Sequence, residues 1–377
     1  MAATSHALLS PSAAHRWLNC PPSAKLAAQV PGRTSAAAEE GTAAHALAEH
    51  KLKRLLRRRS NRPVSSYDTD TMEECTDDYV SFVQEKLEEA RTESKDPRIF
   101  VEQHLNLSPA VPDGFGTADC LIVSDKHLWV IDFKYGTGVL VEAENNPQLM
   151  IYALGAISAL GQLYPFDTVS LCIFQPRREN VSCWDISRKD LEEWGEKVLK
   201  PKAALAFSGG GSFTPGSWCE FCPIAPKCRA RAIKQLQIAK YDFKLPPVLK
   251  DEEIAKLLAE LPDFVSWANQ VLSYATEAAI HHGKHWPGFK VVAGRAVRKY
   301  KDQDAVIKAA TAAGYTDIFD KKLIPLTAME KLMGKENFKT ILGTLIVKPA
   351  GKPTLVPESD KRPPINTDDV KKEFTEE

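Results

Sequence analysis

The chain has no long hydrophobic run, no excess of either charge and no internal repeat. No apolar stretch approaches the roughly 20 residues that cross a bilayer, so a membrane-spanning helix is not expected. Lysine plus arginine number 49 and aspartate plus glutamate 49, so no global field draws the chain toward nucleic acid. Basic runs are local: Lys51 to Arg59, Arg177-Arg178, and Lys227 to Arg231. Any one of them serves equally as a phosphate-tracking patch or as a solvated helix face. Met1 to Ser10 lacks a basic leader and an apolar segment, so a secretory signal is not expected and the cytoplasm is the default compartment. Cysteines number only 8, and without export they read as thiols, some of them ligands, rather than as disulfides.

What is present is a soluble-type composition, 44% hydrophobic and 26% charged, in a chain of 377 residues. That length exceeds one ordinary core and implies two or three domains. We place the boundaries at 1–240, 241–347 and 348–377. The first region begins with helical patterns: Ser10-Pro11 opening a short helix through Trp17, then about Thr34–Arg59 and Cys75–Glu93. Strand-like segments follow at Arg98–Leu107, Gly116–Val123 and Leu128–Phe133, then a helix at Asn145–Leu160 and strands at Thr168–Phe174 and Val181–Ile186. Helices, a three-strand meander, a helix and two more strands predict a layered α/β domain. Beyond Lys250 the pattern predicts helices at Asp251–Leu261, Phe264–His281, Asp302–Ala313 and Thr327–Met333, with a strand pair at Phe289–Val292 and Val297–Tyr300. From Lys348 onward the chain is poor in apolar residues and reads as an extended or disordered tail.

Three separated segments carry the chemistry. Gly116-Thr117-Ala118-Asp119 and Ile131-Asp132-Phe133-Lys134 end neighbouring predicted strands, and Gln148 and Tyr152 lie one turn apart on the following helix. Phosphodiester cleavage needs a nucleophilic water, charge neutralisation at phosphorus and help for the leaving oxygen, and divalent ions held by carboxylates supply these. Hard oxygen ligands suit Mg²⁺ or Mn²⁺. Asp119 and Asp132 are the expected ligands, and Lys134 points to the same side as Asp132 because strand side chains alternate. Gln148 is expected to fix water or phosphate, and Tyr152 to contact the strand. His45, in Gly41-Thr42-Ala43-Ala44-His45, offers an imidazole ligand, and Glu102 a further carboxylate of unassigned role. Gly116 and Gly136 are expected to leave room for substrate.

Cys219-x2-Cys222-x5-Cys228 gathers thiolates in a Gly/Ser/Pro-rich loop, and Cys20 offers another. Such a set suits a [4Fe–4S] cluster or Zn²⁺; a clustered trio with a distant partner fits the cluster better, since zinc ligands usually come in close pairs. Cys75, Cys120, Cys172 and Cys183 fall in helix or strand patterns and read as ordinary buried thiols.

The constellation resembles the RecB-type branch of the PD-(D/E)XK nuclease superfamily over roughly residues 5–240. Its pattern of Gly-x3-His, Gly-x2-Asp, Asp-x-Lys and Gln-x3-Tyr is matched in order by Gly41–His45, Gly116–Asp119, Asp132–Lys134 and Gln148–Tyr152. The resemblance implies His45, Asp119, Asp132 and the Phe133 backbone as metal ligands and Lys134 as the catalytic lysine. The cysteine bracket is similar to that of RecB-type nucleases with an iron–sulfur staple, such as the AddB subunit and CRISPR-adaptation exonucleases, and implies a cluster pinning the domain ends. Trp286 to Tyr300 and the tail resemble a family encoded by bacteriophages and prophages. A metal-dependent DNA exonuclease in phage recombination or DNA processing is therefore expected. Its expected partners are DNA and a phage single-strand-binding or annealing protein. The rival expectation is a non-catalytic DNA-binding or partner-binding module on the same scaffold, and an RNA-directed nuclease is the third.

Overall fold

A computed structural model describes residues 7–30, 35–237, 249–292, 303–312, 329, 332–342 and 345. The chain divides into two compact units, Met1–His282 and Gly283–Glu377. The first is built on a five-stranded mixed sheet in sequential order. Its strands are β1 (Arg98–Asn106), β2 (Phe115–Val123), β3 (His127–Phe133), β4 (Thr168–Gln175) and β5 (Asn180–Ser187). β1, β2 and β3 form the expected antiparallel meander. β4 lies parallel to β3, and β5 returns antiparallel at the edge. A parallel neighbour requires a crossover, and helix α5 (Pro147–Leu160) supplies it.

Helices cover both faces because β2 and β3 are apolar on both faces. Cys120, Ile122, Trp129, Ile131 and Phe133 pack against α3 (Ala36–Leu55) and α4 (Asp70–Glu93). Leu121, Val123, Leu128 and Val130 pack on the opposite side with α1 (Ala14–Asn19), α5 and α7 (Lys200–Ser208). Each aliphatic side chain so buried stabilises the fold by about 1.5–3 kcal/mol. α5 is apolar nearly all round and is buried accordingly.

Local chemistry sets the helix starts. Ser35 caps α3 by accepting from Ala38 N at 3.2 Å, and Thr69 caps α4 by accepting from Met72 N at 3.2 Å. The Thr69 cap starts α4 at Asp70, five residues ahead of the apolar periodicity that suggested Cys75. Asn146 caps α5 through Gln148 N at 3.0 Å and Leu149 N at 3.4 Å, with Pro147 in the first turn.

The remaining helices of this unit are α2 (Ser23–Ala28), α6 (Arg188–Trp194), α8 (Arg229–Leu236) and α9 (Asp251–His282). The two helices expected at 251–261 and 264–281 are one, with Pro262 inside it. Pro262 is solvent-exposed, so the carbonyl that loses its intrahelical donor faces water. The boundary expected near residue 240 falls inside the first unit, because α9 is tied to the cysteine loops. Arg231 on α8 reaches Cys219 O at 3.0 Å, Gln270 Oε1 at 2.6 Å and Asp263 Oδ1 at 3.2 Å.

The second unit includes α10 (Gln303–Ala312) and α11 (Lys335–Leu342). Phe289–Val292 is not a strand. Its expected partner at 297–300, most of the helix expected at 327–333 and the tail from 348 lie outside the described residues. No helix among the described residues is long and apolar enough to cross a membrane.

Candidate active site

The site opens where the central ladder forks. β2 and β3 pair from Val123↔Leu128 as far as Cys120↔Ile131. The next residue on each strand is Asp119 or Asp132, and there the strands part. β3 stays with β4, through Asp132↔Ile173, Phe133↔Phe174 and a 2.8 Å bond from Lys134 N to Phe174 O. The Phe133 N–H, left without a strand carbonyl, donates to Asp119 Oδ2 at 2.8 Å. Asp119 is thus fixed by the edge of the fork it lines.

Asp132 is only 4% exposed and lies within a closed set of contacts. Lys134 Nζ stands 2.9 Å from its Oδ2, and Gln148 Nε2 donates to its Oδ1 at 2.9 Å. Lys134 Nζ also donates to Gln148 Oε1 at 3.2 Å, and Tyr152 hydrogen-bonds Gln148 in turn. Asp132, Lys134, Gln148 and Tyr152, taken from β3 and α5, therefore act as one group. The Asn146 cap and Pro147 set the helix register that makes this possible.

On the other side of the fork, His45 Nδ1 on α3 lies 3.4 Å from Asp119 Oδ1. Glu102 stands opposite Asp119 across the β1–β2 ladder, which pairs Val101↔Cys120 and Gln103↔Ala118 but skips Glu102. Its φ is 51°, a left-handed backbone that a non-glycine residue adopts at a cost, found where the surroundings hold it. One ligand atom from each of His45, Glu102 and Asp119 lies within 4.8 Å of the others. The compact triad thus contains the carboxylate that sequence left without a role, while Asp132 is held by Lys134 and Gln148. Nothing in the sequence signals the reversed backbone at Glu102.

The electrostatics describe a negative site short of cations. Burial would lower the His45 pKa, but the Asp119 carboxylate beside it prevails and lifts it to about 9. Burial, then the Asp119 charge, raises Glu102 to about 7. Burial opposes ionisation of Asp119, yet His45 and the Phe133 N–H hold its carboxyl below the usual range. Asp132 is pushed up by burial despite Lys134, and Lys134 itself stays charged because Asp132 outweighs its desolvation. His45 and Glu102 therefore carry protons near neutrality where a divalent cation would otherwise supply positive charge, and the donor set of one imidazole and carboxylates fits such a cation.

Gly116 does not make room for substrate as expected. A Cβ there would meet Tyr152 Cε1 at 2.9 Å and Pro11 Cγ at 3.2 Å, so the missing side chain lets the Tyr152 ring close on the strand. Gly136 borders open space. For Phe133, the group turned to the site is the amide; its ring lies in the core, 4.7 Å from that of Tyr79.

The cysteines form a second locus. Cys20, at the end of α1, and Cys219, Cys222 and Cys228 line one recess with Arg16, Ser23 and Trp218. Gly216 N–H donates to Cys219 Sγ at 3.5 Å, and Ile224 N–H bonds Cys222. No three of these sulfurs lie within 4.8 Å of one another among the described residues. Cys75, Cys120 and Cys172 are buried as expected, but Cys183 is exposed, because β5 is an edge strand whose alternate side chains face out.

Sheet and flanking helices define a mixed α/β protein in which His45, Glu102 and Asp119 form a cluster that could hold a metal ion. The chain belongs to the family described as a protein of unknown function (DUF2800), which matches residues 6–363.

Proposed function

We propose that this chain is a Mg²⁺- or Mn²⁺-dependent deoxyribonuclease, acting as an exonuclease, on a PD-(D/E)XK core. The observation that carries the reading is the convergence of Asp119, Asp132, Lys134 and Gln148 on one fork, linked at 2.8–3.2 Å by contacts that remote segments supply. His45, Glu102 and Asp119 would hold the cation, with Asp132 and the Phe133 backbone as the further ligands that the resemblance implies. When bound, the cation lowers the pKa of water and neutralises charge at phosphorus. Lys134, kept charged by Asp132, stabilises negative charge developing on the phosphoryl oxygens. Gln148 orients both Asp132 and Lys134, and Tyr152 holds Gln148 against the β2 strand.

The four cysteines would hold a [4Fe–4S] cluster in preference to Zn²⁺. No three of their sulfurs lie within 4.8 Å of one another, whereas tetrahedral zinc with about 2.3 Å bonds holds all its ligands about 3.8 Å apart. Burial pushes the Cys219 and Cys222 thiols up, and the N–H donors from Gly216 and Ile224 oppose it, as they would support thiolate ligands. The role is structural: Cys20 and Cys228 lie at opposite ends of the region that contains the nuclease motifs.

The test is end-labelled linear and circular DNA, single- and double-stranded, incubated with Mn²⁺ and with chelator. Wild type is expected to degrade linear substrates only with the cation, and Lys134→Met to lose at least about 100-fold in rate. Gel-shift affinity without product under any divalent ion would replace this reading with a binding module.

A further inference from the structure

Cys172 on β4 and Cys183 on β5 are directly opposed in the antiparallel register. Their thiols are hydrogen-bonded to each other. Directly opposed residues hold their Cβ atoms about 4.5–5.5 Å apart, close to the span of a disulfide. The two differ in access: Cys172 is fully buried beside the core of the sheet, whereas Cys183 is exposed on the edge strand. An accessible thiol touching an enclosed one is the arrangement of an attacking and a resolving cysteine.

We propose that Cys172 and Cys183 form a reversible intramolecular disulfide by exchange with a small-molecule disulfide of the oxidised-glutathione class. The Cys183 thiolate attacks one sulfur of that disulfide, whose S–S bond breaks and releases one small thiolate. The Cys172 thiol then gives up its proton and attacks the Cys183 sulfur, forming the protein disulfide and expelling the second small thiolate. Two protein thiols are oxidised, one small disulfide is reduced to two thiols, and the protons released by the protein end on them. The bond between the two thiols holds Cys183 below its usual range against burial, Asp185 and Glu89, with help from the Lys86 ammonium. It holds Cys172 well above its own, a hold that ends once the Cys183 sulfur is in the mixed disulfide. Cys172 pairs with Ile131, the residue before Asp132, so the bond would tie the edge strand to the strand flanking the site. The proposal is independent of the nuclease reading.

The test is peptide mass spectrometry of the full chain, reduced, treated with oxidised glutathione and then alkylated under denaturing conditions. The expected product is a linked peptide pair containing residues 172 and 183, lighter by two hydrogens, with alkylation lost at both and restored by dithiothreitol. Cys183→Ser, a change at an exposed position, is expected to abolish the pair and leave Cys172 alkylated. A stable glutathione adduct on Cys183 with Cys172 still free, or both thiols free throughout, would overturn the proposal.

Discussion

The Phe133 amide donates to Asp119 Oδ2 at 2.8 Å, at the point where β2 and β3 cease to pair. A backbone donor abandoned by one strand thus becomes the anchor of a carboxylate on the other. Asp119 has two duties that substitution can separate. Asp119→Asn keeps an oxygen for the Phe133 N–H but removes the charge. It should keep the Phe133 anchor, lose only the stabilisation that protonated His45 draws from the Asp119 charge, and lose Mn²⁺ affinity, read by isothermal titration calorimetry, by at least about 10–100-fold. Asp119→Ala should show the same loss and in addition a destabilisation of about 1–3 kcal/mol, from the buried amide left without an acceptor. Equal stability of the two variants would contradict the anchoring role.

The stability of the metal-free protein should fall as pH rises. His45 is raised from 6.5 to about 9, so its contribution is complete below pH 6.5 and is lost as pH climbs through 9. Glu102 is raised from 4.5 to about 7, so the folded state also holds the extra proton between those values and loses stability across them. Both effects share a sign. Melting temperature in chelator should therefore decline from mildly acidic pH to pH 9. Added Mn²⁺, replacing the protons, should flatten the decline. In Glu102→Gln the fall between pH 4.5 and 7 should disappear, and its Mn²⁺ affinity should drop about 10–100-fold. A melting temperature that rises with pH in chelator would refute the electrostatic description.

Gly116→Ala should collide with Tyr152, whose Cε1 stands 2.9 Å from the added Cβ. A cost of about 1–3 kcal/mol is expected from the overpacking. Combining it with Tyr152→Leu should give less than the sum of the two single changes, measured by chemical denaturation as a double-mutant cycle. Strict additivity would mean that the two do not share that space.

Protein purified without oxygen should be brown and contain iron, with visible absorption that Cys20→Ser, Cys219→Ser or Cys228→Ser each abolish. The same substitutions should lower the melting temperature, because the recess that would hold the cluster joins Cys20 to the distant segment 219–228. Stoichiometric zinc in place of iron, measured by elemental analysis, would reassign the site.

The layered α/β architecture was legible because β-branched and aromatic runs end in turn residues, and β1 to β5 begin within about two residues of the segments expected from them. Asp119, Asp132, Lys134 and Gln148 were legible because strand alternation and helical spacing are local rules. Glu102 was not, since its place depends on a φ of 51° that no neighbouring residue announces. Gly116 was legible as a requirement but not in its reason, which is a tertiary contact with Tyr152. The helices expected at 251–261 and 264–281 are continuous because Pro262 lies on an exposed helix face. Cys183 read as interior because strand composition does not say which strand is the edge.

Helix α1, which ends in Cys20, packs against α7 and against the turn that contains Cys219. During translation the first helices emerge roughly 200 residues ahead of these partners, at about 5–20 residues per second. Trp17, wholly enclosed in the finished fold, lies on this helix, whose packing on α2 and α5 precedes its packing on α7 in order of synthesis. A chain interrupted before residue 200 therefore lacks the α7 face, including Ala203 and Ala206, against which the first helix packs in the finished fold.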